Sequence, residues 1–182
     1  FKVRFGVQRK AKLLVYRVLI YLERLSCKLA DHVIATNQSF KLIEMERGKI
    51  PGERITIVRN GPDLDRLKPT DPIPEIKQMG KVVIVYLGIM GFQDGVDHLL
   101  NALYLLANKL ERRDFFCVIA GGGDALPNLK TQADQLGLNG FIIFTDFIEP
   151  ENVSKYISTA EICVAPESSN SLNDRSTIIK IL

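Results

Sequence analysis

Three short segments carry residues whose types and spacing suit an anionic ligand. The first is Leu87-Gly88-Ile89-Met90-Gly91-Phe92-Gln93-Asp94-Gly95. Glycines at such a junction let the backbone approach a ligand, and the N-terminus of a following helix attracts negative charge. The spacing G-x-x-G-x-x-x-G differs from the dinucleotide fingerprint G-x-G-x-x-G, so a plain turn accounts for it equally well. The second segment, Gly121-Gly122-Gly123-Asp124, exposes backbone N–H groups that suit a diphosphate or a sugar. A tight turn with Asp124 capping a helix at Ala125 is compatible with that reading. The third runs from Pro166 to Arg175 and continues through Ser176, Thr177 and Lys180. Hydroxyls and N–H groups at a helix start, with a lysine one turn on, suit a phosphate. A solvated loop capped by Asp174 or Ser176 is the alternative.

Other chemistries find no matching pattern. His32 and His98 are the only histidines, and the three cysteines Cys27, Cys117 and Cys163 form no CxxC pair. No zinc site of ordinary spacing and no disulfide framework is therefore expected. Cys117 and Cys163 lie in apolar runs and are expected to be buried thiols, in keeping with a reducing cytoplasm. Neither a Ser-His-Asp order, nor a kinase motif, nor a Walker lysine loop is present.

The elements that must hold these segments alternate regularly. Val82–Leu87 is a continuous apolar run, as expected of a strand buried on both faces. Val96, Leu99, Leu100, Leu103, Leu106 and Leu110 follow at helical spacing. Strands are expected at 115–120, 141–144 and 162–165, with helices at 125–136 and 150–158 and a further helix from Ser176. Four strand–helix alternations imply an α/β fold with a doubly wound parallel sheet, whose ligands bind at the carboxyl ends of the strands. Before this region, 10–30 reads as a helix, 31–36 and 54–58 as strands, and Asn37 to Ser39 as the capped start of a helix ending near Gly48. Pro69, Pro72 and Pro74, with charges between them, mark a linker. The expected organisation is residues 1–62, a linker over 63–80, and a domain over 81–182.

Length and charge add two constraints. The chain has 182 residues, 46% of them hydrophobic, enough for one domain and part of another. Residues 1–30 hold eight basic residues against Glu23 alone, or +7, which leaves −4 for the rest of a chain whose net charge is +3. The tract from Leu13 to Leu22 is interrupted by Arg17, and no stretch approaches the roughly 20 apolar residues that cross a bilayer. The basic segment suits an anionic membrane surface or packing against further protein. Because Phe1 is not an initiator methionine, the chain is expected to begin inside a longer protein.

Five motifs in order resemble the family 4 retaining glycosyltransferases of GT-B fold. They are Ala30-Asp31-His32-Val33-Ile34-Ala35-Thr36; Val58-Arg59-Asn60-Gly61-Pro62-Asp63; Tyr86-Leu87-Gly88 with Gly91 and Gly95; Ile119-Ala120-Gly121-Gly122-Gly123; and Ala160-Glu161-Ile162-Cys163-Val164-Ala165-Pro166. The resemblance implies a Rossmann-like donor-binding domain over 81–182, cut short at its C-terminus, and the remnant of a Rossmann-like acceptor domain over 1–62. It implies that Gly88, Gly91, Gln93 and Asp94 approach the diphosphate or sugar. It places Gly121, Gly122 and Gly123 beside the nucleotide, and Phe147 and Ile148 beside the base. Asn173 and Asp174 would stand near the sugar, and Ser176, Thr177 and Lys180 would meet phosphate. The donor is then a UDP- or GDP-sugar, with neither cofactor nor metal.

Two departures from the family pattern stand out. Gln93 and Asp94 occupy a region where many members carry Arg and Lys, which leaves Arg175 or Lys180 to supply positive charge. The family's paired glutamates have only Glu167 and Asp174 as candidates for the first, so the catalytic residue is unassigned. The loop resembles a subgroup of bacterial surface-polysaccharide assembly. That implies a cytoplasmic hexosyltransferase acting on a glycan or lipid-linked acceptor, peripheral at the inner face of the membrane through residues 1–30. Nucleic acid is not an expected partner, and the isolated chain is expected to show no transfer. A sugar-nucleotide isomerase of GT-B architecture and a non-catalytic binding module are the alternatives.

Overall fold

The computed structural model describes residues 9–59, 61–63, 65, 67–80, 82–171 and 173–176, with side chains from residue 13 onward. Contacts divide the chain into two units, Phe1–Asn60 with Asp174–Thr177, and Gly61–Asn173 with Ile178–Leu182.

The first unit is built on α1 (Arg9–Leu29), β1 (Val33–Ala35), α2 (Gln38–Ile43) and β2 (Ile55–Ile57). Asn37 caps α2 as expected: its Oδ1 accepts the Phe40 N–H at 2.9 Å. The helix then loosens into a π turn at Glu44–Gly48 instead of running on as α-helix. β1 and β2 pair in parallel, Val33 opposite Ile55, and with Cys27 and Ile50 they form a small core. The Arg54 guanidinium reaches the carbonyls of Ala30 and Asp31, satisfying orphan acceptors just past α1. The Cys27 thiol donates to Glu44 Oε2 at 3.1 Å. Burial, and then that bond, push its pKa up to about 11.

The second unit contains α3 (Pro74–Lys77), β3 (Val82–Leu87), α4 (Val96–Asn108), β4 (Phe115–Ala120), α5 (Leu126–Gln135), β5 (Ile142–Asp146), α6 (Val153–Thr159) and β6 (Ile162–Cys163). Its four strands are all parallel, in the order β5-β4-β3-β6. The alternation of side chains across the pleat divides the core in two. Ile84, Tyr86, Cys117, Ile119 and Ile142 face α4 and α5, whereas Val83, Val85, Phe116, Val118 and Ala120 face the other way. Ile76 of α3 and Tyr156 and Ala160 near α6 cover that second face. Burial on both faces is why β3 and β4 read as unbroken apolar runs.

Residues 63–80 belong by contact to this unit. The Thr70 N–H donates to Ser158 Oγ at 3.0 Å and the Ile73 N–H to Thr159 Oγ1 at 2.8 Å. Lys77 pairs with Glu161, whose other oxygen accepts the Val83 N–H at 2.7 Å.

Three local expectations need correction. Cys117 is buried, and that burial alone pushes its thiol up to about 12, but Cys163 is exposed. β6 pairs on one side only among the described residues, so its apolar sequence does not bury it. Asp124 does not cap α5: the helix starts from Ala125 without a side-chain cap, and Pro127 instead supplies a residue that needs no N–H partner. Leu110 lies past the end of α4 and is exposed.

Candidate functional site

The strand order places a topological switch point in the second unit. From β3 the chain moves outward through β4 to β5, then returns to the opposite side of β3 as β6. α4, which leaves β3, covers one face of the sheet and α6, which leads into β6, covers the other, and open α/β sheets bind ligands in the crevice at such a reversal.

Backbone contacts knit the loops around that crevice. The Gly88 N–H donates to Ala120 O at 3.0 Å, and the Gly121 N–H to Asp146 O at 2.8 Å. Met90 and the glycine loop exchange bonds, Met90 N–H to Gly122 O at 2.8 Å and Ala125 N–H to Met90 O at 3.0 Å. Gly121 has φ 126°, and a Cβ there would overlap the Gly88 carbonyl. Gly95 has φ 72°, and a Cβ there would overlap the Pro166 carbonyl, so glycine is what lets the β3 and β6 loops touch. Gly122 differs, since a Cβ built on it meets nothing within 4 Å. The three glycines thus divide their work: Gly121 and Gly123 pack against neighbouring backbone, and Gly122 faces open space.

The β3–α4 loop is braced from within. Tyr86 is fully buried, and its hydroxyl donates to Ile89 O at 2.9 Å. Asp94 Oδ2 accepts the Gly91 N–H at 2.8 Å. Asp94 therefore holds the loop's shape, while Gln93 and Phe92 are exposed. Asp146, at the end of β5, takes the left-handed conformation with φ 56°, which Asp tolerates better than most residues. Its carboxylate accepts from Lys130 Nζ at 3.0 Å. The bracing contacts made by Tyr86 and Lys130 are not legible in the sequence. The signal for Asp146 was an acidic residue closing an apolar strand.

Beside the β5–α6 loop lies an open pocket of about 440 Å³, lined by Phe147, Ile148, Asn152, Lys155 and Tyr156 with Ile73. Phe147 is 74% exposed. In the β6 loop, Asn170 and Asn173 both donate to Ser168 O, at 3.1 and 2.9 Å, and Asn170 Oδ1 accepts the Asn173 N–H. Glu167 sits at the Gly95 contact with its Oε2 buried.

Of the residues expected to form a donor site, the structure brings Gly88, Gly91, Gln93, Asp94, Gly121, Gly122, Gly123, Phe147 and Ile148 to the carboxyl edge of one sheet. Asn173 and Glu167 lie in the β6 loop of the same unit. Asp174 and Ser176 group by contact with the first unit. Thr177 and Lys180 lie outside the described residues. Among the described residues no cluster of three His, Cys, Asp or Glu side chains could hold a metal ion.

A four-stranded parallel sheet with a glycine-lined switch point defines a Rossmann-like α/β domain, the building block of GT-B glycosyltransferases. The chain belongs to the glycosyl transferases group 1, whose family model matches residues 68–172. It is 30% identical over 154 residues to D-inositol 3-phosphate glycosyltransferase 2 of Catenulispora acidiphila, a match covering 78% of this chain and 36% of that protein. An uncharacterized glycosyltransferase of Methanocaldococcus jannaschii is 30% identical over 84 residues, 46% of this chain and 21% of its own length. The chain thus spans only about a fifth to a third of the relatives it matches. The fold matches HepE of Anabaena in complex with UDP at a TM-score of 0.64 and 18% identity, covering 80% of this chain and 40% of that one.

Proposed function

We propose that the protein carrying this chain is a retaining hexosyltransferase of family 4, and that the second unit binds its UDP- or GDP-sugar donor. The observation that carries this is the switch point between β3 and β6, lined by glycine backbone, in a chain of glycosyl transferases group 1. HepE, a fold relative, was solved with UDP and with UDP-glucose, which supports a nucleotide-sugar as the ligand of this edge.

In this reading the donor diphosphate lies over Gly122 and the Gly91 loop, and the base lies against Phe147 and Ile148. The sugar stands under the β6 loop near Glu167, Asn173 and Asp174. Ser176, Thr177 and Lys180 approach the phosphates, with Arg175 as a further source of positive charge. Catalysis is electrostatic: backbone dipoles and cations stabilise the leaving diphosphate as the bond to the anomeric carbon breaks. Asp94 is engaged within its own loop. The cations Lys180 and Arg175 therefore carry the neutralisation that the first loop lacks.

The first unit belongs to the acceptor side of the enzyme, and residues 63–80 link the acceptor and donor parts in sequence. The acceptor is a glycan or lipid-linked precursor of a bacterial surface polysaccharide. The enzyme works in the cytoplasm, peripheral at the inner face of the membrane through residues 1–30. Calorimetric titration with UDP- and GDP-sugars tests the donor assignment. Binding of one class, weakened by Lys180→Ala, is the expected result. Unchanged affinity in Lys180→Ala removes that residue from the site, and binding of neither class overturns the assignment.

A further inference from the structure

Three irregularities coincide at the end of β5. Along the β4–β5 pair Ile119 lies opposite Phe144, but Ala120 lies opposite Asp146, so Thr145 is an extra residue. Such a bulge is rare between parallel strands, and bulges concentrate beside functional sites. Asp146 then takes φ 56°, in the left-handed region. Finally, the chain changes face. Phe144 packs on the α4–α5 side, and Asp146 accepts from Lys130 of α5 on that same side. In a regular strand Ile148 would follow them, because alternate residues share a face. Ile148 instead packs against the cluster of Val83, Val85 and Phe116 on the opposite side. The main chain at Phe147 therefore crosses the carboxyl end of the sheet.

Asp146 is the joint of this crossing. Its carbonyl accepts the Gly121 N–H at 2.8 Å, which ties it to the glycine loop. Its Oδ1 accepts from Lys130 Nζ at 3.0 Å, which ties it to the helix that leaves that loop. Lys130 is in turn set over the Phe144 ring, 6.0 Å from its centroid. Among the described residues the main chain of Phe147 and Ile148 makes no hydrogen bond. Donors and acceptors thus stand together at the edge of the sheet, as a ligand that presents both, such as a nucleobase, requires.

We propose that Asp146 and Lys130 are a positioning pair for the base of the donor. The left-handed turn at Asp146 carries the Phe147–Ile148 main chain across the strand end, and the bond to Lys130 holds that turn. Both residues act through this main chain, not by touching the ligand. This rests on the donor reading proposed above. A residue that does not tolerate the left-handed region lets the segment relax into extended backbone. The ligand then meets a competent loop in only a fraction of the molecules, and the apparent affinity falls by that fraction.

Titrations of the protein carrying this chain with UDP and with GDP test the pair. For the nucleotide that binds, Asp146→Val should weaken binding by about tenfold or more, because a β-branched residue disfavours the turn. Asp146→Asn should bind like the unaltered protein, since Asn tolerates the turn and keeps an oxygen for Lys130. Both variants remove the same charge, so the difference between them reads conformation. Lys130→Met should weaken binding about two- to fivefold, as suits an exposed ion pair, and should add nothing in the Asp146→Val background. Ligand-induced amide shifts supply a readout that general destabilisation would not move. At saturating nucleotide those of Phe147 and Ile148 should shrink in Asp146→Val while that of Gly122 persists. If Asp146→Val does not fold, Lys130→Met and Asp146→Asn carry the test, and unchanged affinity in Lys130→Met overturns the pair. Equal affinities in Asp146→Val and Asp146→Asn would also overturn it. So would a Lys130→Met loss that adds in full to that of Asp146→Val, which would mark Lys130 as a contact of the ligand itself. Binding of neither nucleotide by the unaltered protein would strike the donor reading, and this pair with it.

Discussion

At the scale of the residue, adjacent glycines of identical type do different work. Gly121 is required by its own φ and by the Gly88 carbonyl, whereas Gly122 meets open space. Gly121→Ala is expected to destabilise the protein by at least about 2 kcal/mol, combining backbone strain with overpacking. Gly122→Ala should leave stability within about 0.5 kcal/mol and instead lower donor affinity, since its methyl would occupy ligand space. Thermal melts and donor titrations on the two variants separate these roles. Equal melting temperatures would contradict the division. Glu161 makes a second prediction, through pH. Its bond to Lys77, and then the Val83 N–H, hold its carboxyl below the usual carboxylate range. A carboxyl depressed in the folded state stabilises it above the ordinary carboxylate pKa, and that contribution is lost as pH falls through the lowered value. Glu161→Gln should therefore melt earlier at neutral pH and converge with the unaltered chain under acid. Because the pair is more than a third exposed, the gap is expected to be modest.

The elements show where sequence periodicity suffices. β3 and β4 were legible because burial on both faces leaves an unbroken apolar run, and α4 because Val96, Leu99, Leu100 and Leu103 repeat at helical spacing. Cys163 misled, since an equally apolar strand is exposed where it pairs on one side only among the described residues, and strand order is not legible locally. The stretch from Pro69 to Gly80, part of the expected linker, is a different case. Its prolines and charges suit a loose connection, yet Ser158, Thr159 and Glu161 hold it along α6 and β6. These bonds span more than 80 positions of sequence, beyond the reach of any local pattern. Thr159 is wholly buried and accepts the Ile73 N–H while donating to Lys155 O at 2.6 Å. Thr159→Val keeps the shape and strands that N–H, so urea unfolding should show a loss of about 1–3 kcal/mol. No measurable loss would mean that the strap does not hold the segment.

Across the whole molecule, two compact units divide the chain, and the glycine loops all belong to one of them. The order of motifs in the sequence was enough to indicate the family, because the loops at the carboxyl edge of the sheet carry the glycines that let those loops touch. Which glycine faces open space was not legible, because Gly121, Gly122 and Gly123 are one tripeptide until strand register fixes their surroundings. The chemistry of the β6 loop was legible only as polarity; Asn170 and Asn173 prove to spend their side chains on Ser168. The most direct measurement is to map backbone amide shifts of the labelled chain during titration with UDP-glucose. Shifts concentrated at Gly91, Gly122, Phe147 and Ile148, with β1 and β2 unmoved, are the expected result. Shifts confined to the first unit, or none at saturating donor in a folded protein, would contradict a donor site at the β3–β6 switch point.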